Sequence, residues 1–177
     1  MVDSRKLITA TLFGVVIGVV YGAIPFEIGD SLIVFEAILL SLSYILLGPG
    51  GATYTGIING LVETPLQLSF GPFAFGVALL YGVLVDLFCS IFKVTYEGKV
   101  RPKRLVASLT LSTIIVGVAA TYAFIAFGFG TTAPFLELYL PILVVGAVSG
   151  TVGGVLGARL WDRNLKHRFA PVQRSSN

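Results

Sequence analysis

Charge is what this chain has least of. Only 12% of its 177 residues are Asp, Glu, Lys or Arg, about half the share in a soluble domain. So few charges cannot cover a water-facing surface. Chemistry-bearing residues are scarce too. The one cysteine, Cys89, excludes a disulfide framework and any CxxC metal site, and its apolar surroundings mark it as a packing residue. The one histidine, His167, lies near the C-terminal end of the chain. That removes His-based acid–base chemistry, His metal sites and Ser–His pairs from the apolar segments. Ser149, in Val148-Ser149-Gly150, has no histidine to activate it. No GxxxxGK[ST] phosphate loop is present, since Gly98-Lys99 lacks both the upstream glycine and the following hydroxyl residue. The chain is therefore expected to be no enzyme and to hold neither metal nor cofactor. If it works in an ATP-driven process, another chain hydrolyses the ATP.

What is abundant is apolar: 55% of residues are hydrophobic and the mean hydropathy is +0.92. A membrane-crossing helix needs about 20 mostly apolar residues. Leu7–Ile24, Phe73–Phe92, Leu105–Phe127 and Leu138–Leu160 meet this plainly. Ser31–Leu47 and Ala52–Thr64 are weaker, interrupted by Glu36, Asn59 and Glu63.

The net charge of +3 alone would suit nucleic acid, but the basic residues are gathered in three places. These are Arg5–Lys6, Lys93–Arg104 and Arg159–Arg174, with no Lys or Arg from Leu7 to Phe92 or from Leu105 to Ala158. This is the positive-inside pattern, so no nucleic acid is expected and all three clusters are placed in the cytoplasm. An even number of crossings must then join the first cluster to the second, so the two weaker segments both cross or neither does. Ser31–Leu47 is too apolar to lie outside. The expectation is an all-α integral membrane protein of the cell membrane, a single domain of six helices with both ends inside. A short basic tail runs over residues 161–177. Arg5-Lys6 followed by an apolar run has a secretory look, but cleavage after Ala23 is not expected because Tyr21 is not small.

Small residues form stripes. Ala10, Gly14, Gly18 and Gly22 are four apart, so they share one face of the first helix. Such a stripe favours close helix association in lipid, either with the rest of the chain or with a partner. Gly146, Gly150 and Gly154 in the last helix, and Ala52, Gly56 and Gly60 in the third, are expected to pack within the bundle.

Carboxyls inside spans are costly and are functional candidates. Glu36 falls about 8 Å below the outer boundary at 1.5 Å per residue. Glu63 lies near the outer end of the third helix, and Asp86 lies toward the inner end of the fourth, where a hydrogen-bonded or ion-paired structural role is expected. Asn59, Gln67, Tyr122 and aromatics such as Tyr21, Phe73, Phe75 and Phe127 gather toward the same outer half as Glu36 and Glu63. The expected substrate site is Glu36, Asn59, Glu63, Gln67 and Tyr122. Aromatic faces with carboxylates and no Lys or Arg suit a flat cationic or neutral heteroaromatic ligand rather than an anion.

Leu47-Gly48-Pro49-Gly50-Gly51-Ala52, then Gly60-Leu61-Val62-Glu63, Gly71-Pro72-Phe73 and Leu79-Leu80-Tyr81-Gly82, resemble the substrate-binding (S) subunits of energy-coupling-factor vitamin transporters. The branch most similar is the one for the thiamine precursor hydroxymethylpyrimidine. The resemblance is clearest over Leu47–Phe92. It implies capture of a vitamin-like solute at the outer face, with Glu63 as a ligand residue. It also implies docking through the first helix, at Ala10, Gly14, Gly18 and Gly22, on a transmembrane T subunit driven by two cytoplasmic ATPases. The S subunit then topples in the membrane to release its solute inside. A stand-alone secondary transporter using Glu36 and Asp86 as proton sites, and a non-transporting membrane scaffold, are the readings from other classes. Topology is open to direct test. A Cys89→Ala, Lys99→Cys variant is expected to react with a membrane-impermeant maleimide only after cells are permeabilised. Labelling in intact cells reverses the assignment.

Overall fold

The computed structural model describes residues 4–23, 29–66, 71–96, 99–127 and 135–166. Six α-helices account for most of them: α1 Ser4–Ala23, α2 Gly29–Leu47, α3 Gly51–Leu66, α4 Gly71–Ile91, α5 Pro102–Ala126 and α6 Phe135–Leu160. A five-residue π-helical turn, Trp161–Leu165, continues α6. Four stretches are long and apolar enough to cross a membrane: Ser4–Ala23, Pro72–Ile91, Pro102–Ala123 and Tyr139–Leu165. The other two helices are short: the apolar part of α2 is Leu32–Leu47, and α3 has 16 residues, about 24 Å at 1.5 Å per residue. Between α4 and α5, where only a basic loop was expected, Thr95–Tyr96 (β1) pairs antiparallel with Lys99–Val100 (β2). Arg101 stacks on Tyr96, its guanidinium carbon 4.9 Å from the ring centroid, and Arg104 donates to the Phe92 carbonyl at 3.0 Å. Pro102 opens α5 at the one place where its missing N–H costs nothing.

The turn from α2 to α3 is made by glycine. Gly48 has φ +82° and Gly50 φ +93°, a left-handed conformation that L side chains resist. α3 then begins buried and without a side-chain cap of its own. Asp86, from α4, supplies it. Its carboxylate accepts from Ala52 N at 3.1 Å, Thr53 N at 2.7 Å and the Thr53 hydroxyl at 2.6 Å. The cap satisfies two of the donors a helix start leaves open and puts negative charge at the positive end of its dipole. Of the two structural roles expected for Asp86, the hydrogen-bonded one is found.

Neighbouring helices run so that α1, α3 and α5 point one way and α2, α4 and α6 the other. α1 lies parallel to α3: Gly14 faces Ile58, Gly18 faces Val62 and Gly22 faces Leu66, a constant step. α6 lies antiparallel to α5, with Gly146 on Ile114, Gly150 on Thr110 and Gly154 on Val106. Its other glycine face, Gly153 and Gly157, meets Ala37 and Ser41 of α2. On α3, Gly56 sits on Ala78, and Gly60 on Phe75 of α4. The packing order α1–α3–α4–α5–α6–α2 closes back on α1, and α2 also touches α3, α4 and α5. α2 is thus the inner helix, which is why it is apolar nearly all round. Ala37, Leu40, Tyr44, Tyr81, Val85, Cys89, Val94, Leu105 and Leu109 form a continuous apolar core. The alternation brings the start of α1, the hairpin and the end of α6, and with them the described basic residues, to one end of the bundle.

These contacts settle where the first helix's stripe goes. Ala10, Gly14 and Gly18 are buried, and each of Gly14, Gly18 and Gly22 meets an α3 side chain. The stripe is filled within the chain, so the expected docking face is corrected: a partner cannot seat on residues that α3 already covers. α1 instead presents Ile8, Leu12, Val16 and Val19 outward.

Gly150→Ala is expected to lower the melting temperature, since its Cβ would stand 2.5 Å from the Thr110 backbone. Overpacking of this kind costs about 1–3 kcal/mol. Gly76→Ala, with nothing within 4 Å, is expected to leave the melting temperature unchanged or raise it. Asp86→Ala strands two N–H groups at the start of α3, one buried and one part-buried, and is expected to cost about 2 kcal/mol. Detergent thermal denaturation measures all three.

Candidate functional site

The interior of this apolar bundle carries a polar ladder. Thr55, Asn59 and Glu63 follow one another at four-residue spacing on α3, so they line one face. Across from them on α2 are Ser43 and Glu36, seven residues apart and also on one face. The glycine turn at 48–50 folds α3 back along α2 and fixes the register. Thr55 donates to Ser43 Oγ at 2.7 Å, and Asn59 Nδ2 donates to Glu36 Oε1 at 3.1 Å. Glu63 continues the ladder within electrostatic reach of Glu36. Tyr21, from α1, places its phenol against the Glu36 carboxyl. Tyr81 of α4 also lies within electrostatic reach of Glu36. Its hydroxyl is 2.8 Å from Thr113 Oγ1 on α5. Thr113 spends its own proton on the Leu109 carbonyl, so Tyr81 is the donor of that pair.

Burial sets the character of the site. Glu36 and Glu63 are each 7% exposed and Asn59 is 1% exposed. Asn59 Oδ1 is enclosed and has no hydrogen-bond partner among the described residues. Buried polar atoms are bonded in the great majority of cases, and this oxygen is an acceptor that the described residues leave unsatisfied. No Lys or Arg lies in the helical sequence around the cluster, from Leu7 to Phe92 or from Leu105 to Ala158. The arrangement is rich in acceptors and carboxyl oxygens, bounded by phenols, and closed on the basic side by the apolar core. It can hold a group that donates hydrogen bonds or carries positive charge. Among the described residues no group of three or more His, Cys, Asp or Glu is placed to hold a metal.

Of the five expected substrate residues, the structure brings Glu36, Asn59 and Glu63 together. Gln67 lies outside the described residues. Tyr122 does not join them: it is 68% exposed, on the outer surface of α5. The reason is helical phase. Tyr122 comes nine residues after the inward-facing Thr113, about 900° of rotation at 100° per residue, which turns it to the opposite side. Its expected ligand role is corrected to that of an outward-facing aromatic. Tyr21, Tyr81 and Thr113 were not among the expected site residues. Tyr21 could have been found from its place three residues after Gly18, on the flank of the α1 packing face. Thr113 gives no sequence signal that separates it from the other hydroxyl residues of α5. Nearby aromatics are arranged edge to face: Phe73 of α4 lies 6.3 Å from Phe127 at 75°. No family model, curated protein or solved structure matches the chain.

Proposed function

We propose that this protein is the substrate-binding membrane subunit of an energy-coupling-factor importer for a vitamin or vitamin precursor, with a hydroxymethylpyrimidine-like solute as its ligand. The observation that carries the reading is the buried Glu36–Asn59–Glu63 cluster with its open acceptor, Asn59 Oδ1. In this reading all six helices cross the cell membrane, the short α2 and α3 included. The basic end faces the cytoplasm, and the cluster is reached from the outer half, toward which α3 carries Glu63. A flat heteroaromatic ring bearing an amino group supplies what the cluster lacks, N–H donors and an apolar body. Transport energy comes from a transmembrane T subunit and two cytoplasmic ATPases. With the glycine stripe of α1 closed on α3, the T subunit meets α1 on its lipid-facing side, at Ile8, Leu12, Val16 and Val19.

Two observations weigh against the other classes. A proton-coupled carrier was to use Asp86 as its second titrating site, but that carboxylate is committed to the start of α3 by three hydrogen bonds. A scaffold that only assembles gives no reason for an enclosed, unbonded amide oxygen.

The test is a thermal-shift and binding measurement on detergent-purified protein against B vitamins and their precursors. A thiamine-precursor-like compound is expected to raise the melting temperature. Glu63→Gln is expected to weaken its binding about tenfold, as for the loss of one charge-assisted hydrogen bond. Tyr122→Ala is expected to leave the affinity unchanged. Absence of stabilisation by every compound in the panel removes the reading.

A further inference from the structure

An asparagine side chain is nearly symmetric in shape, and a half-turn about its last bond exchanges an acceptor for two donors. Only its neighbours decide which end faces a ligand. Here one end is held. Asn59 Nδ2 donates to Glu36 Oε1 at 3.1 Å, and the Tyr21 phenol lies against the same carboxyl. The other end, Oδ1, is enclosed and without a partner among the described residues, on a side chain that is 1% exposed. Glu63 stands one helical turn further along the same face of α3.

We propose that Glu36 is a positioning residue: it locks the Asn59 amide so that Oδ1 alone is presented to the ligand, and the site thereby selects a solute that donates a hydrogen bond at that point over one that accepts there. This rests on the substrate-binding reading above and assigns its specificity. In this arrangement Asn59 Nδ2 is the donor and Glu36 Oε1 the acceptor, so the Glu36 side chain holds the amide in one orientation. A ligand N–H meeting Oδ1 satisfies a buried acceptor. A ligand lone pair there faces another lone pair in a dry site and leaves both unbonded, the condition under which binding sites discriminate most strongly. Replacing Glu36 by Gln keeps the shape and removes the lock, because a glutamine amide can donate to Oδ1 as readily as accept from Nδ2. Asn59 is then free to turn, and donor and acceptor ligands become closer in affinity.

The experiment compares two probes on the purified full chain: 4-amino-5-hydroxymethyl-2-methylpyrimidine and its 4-methoxy counterpart, which puts a lone pair where the first has N–H. The preference for the amino compound, as a ratio of dissociation constants, is measured for wild type, Glu36→Gln, Asn59→Ala and the double variant. The bulk of the methoxy group is common to wild type and the isosteric Glu36→Gln and cancels between them. The expected result is a wild-type preference that falls about tenfold in Glu36→Gln, the equivalent of one hydrogen bond. It is expected to fall similarly in Asn59→Ala, with no further loss when Glu36→Gln is added. A purely structural role would weaken both probes alike and leave the ratio unmoved. If Glu36→Gln does not fold, Glu36→Asp withdraws the carboxylate from Nδ2 and is expected to reduce the ratio in the same direction. An unchanged ratio in a folded Glu36 variant, or a preference that survives Asn59→Ala, overturns the lock while leaving the binding reading intact. Failure of wild type to bind either probe overturns both.

Discussion

The start of α3 is the joint on which this bundle turns. A helix whose first residues are buried must find partners for its first N–H groups within the protein. Asp86 meets that need from a neighbouring helix. In doing so it ties α3 to α4 at one height. The Gly48–Gly50 turn ties the same end of α3 to α2. With both ties made, the register of α3 is fixed against two helices at once. Asn59 comes opposite Glu36 and Gly56 comes against Ala78 as consequences. The buried polar cluster therefore inherits its geometry from a cap about two helical turns away. A buried carboxylate is a poor source of net stability by itself. Its worth here is that it permits one register and penalises the others.

Glycine carries the same logic around the ring. Association in lipid gains little from hiding apolar surface, since the tails are as apolar as the side chains. It gains from close contact, and contact is closest where a Cβ is missing. α6 uses two glycine faces, Gly146–Gly150–Gly154 toward α5 and Gly153–Gly157 toward α2. That double use makes it a hinge between the outer wall and the central helix.

Much of this was legible in the sequence. Long apolar runs and clustered lysine and arginine gave the number of helices and the common basic end, because both depend on composition alone. The small-residue stripes of α3 and α6 announced internal packing for the same reason. What composition could not say is which neighbour a stripe meets. The spacing of Ala10, Gly14, Gly18 and Gly22 is identical whether α3 or another protein lies against it, and α3 does. Rotational phase was the second blind spot. Tyr21 and Tyr122 look alike as aromatics near the same end, yet one faces the cluster and the other is 68% exposed. Phase accumulates at 100° per residue, so an error of two positions in anchoring a helix reverses inside and outside. The hairpin between α4 and α5 escaped notice because two-residue strands carry no periodicity.

What remains after packing is accounted for is a polar residue set that packing does not need. Thr55 and Ser43 bond each other and could be replaced by an apolar pair of the same shape at little cost. Glu36, Asn59 and Glu63 differ. Two buried carboxyls, with no lysine or arginine in the surrounding helical sequence, are costly to hold in an apolar interior, and the one hydrogen bond between Asn59 and Glu36 does not remove that cost. A bundle selected for stability alone would carry leucine there. The phenol of Tyr21 lies against Glu36 and that of Tyr81 is bonded to Thr113, which leaves Asn59 Oδ1 as the acceptor that the described residues do not satisfy. The apolar core at the basic end blocks a straight path through the bundle. The polar cluster is thus confined to one half of the bundle, with the apolar core between it and the basic end.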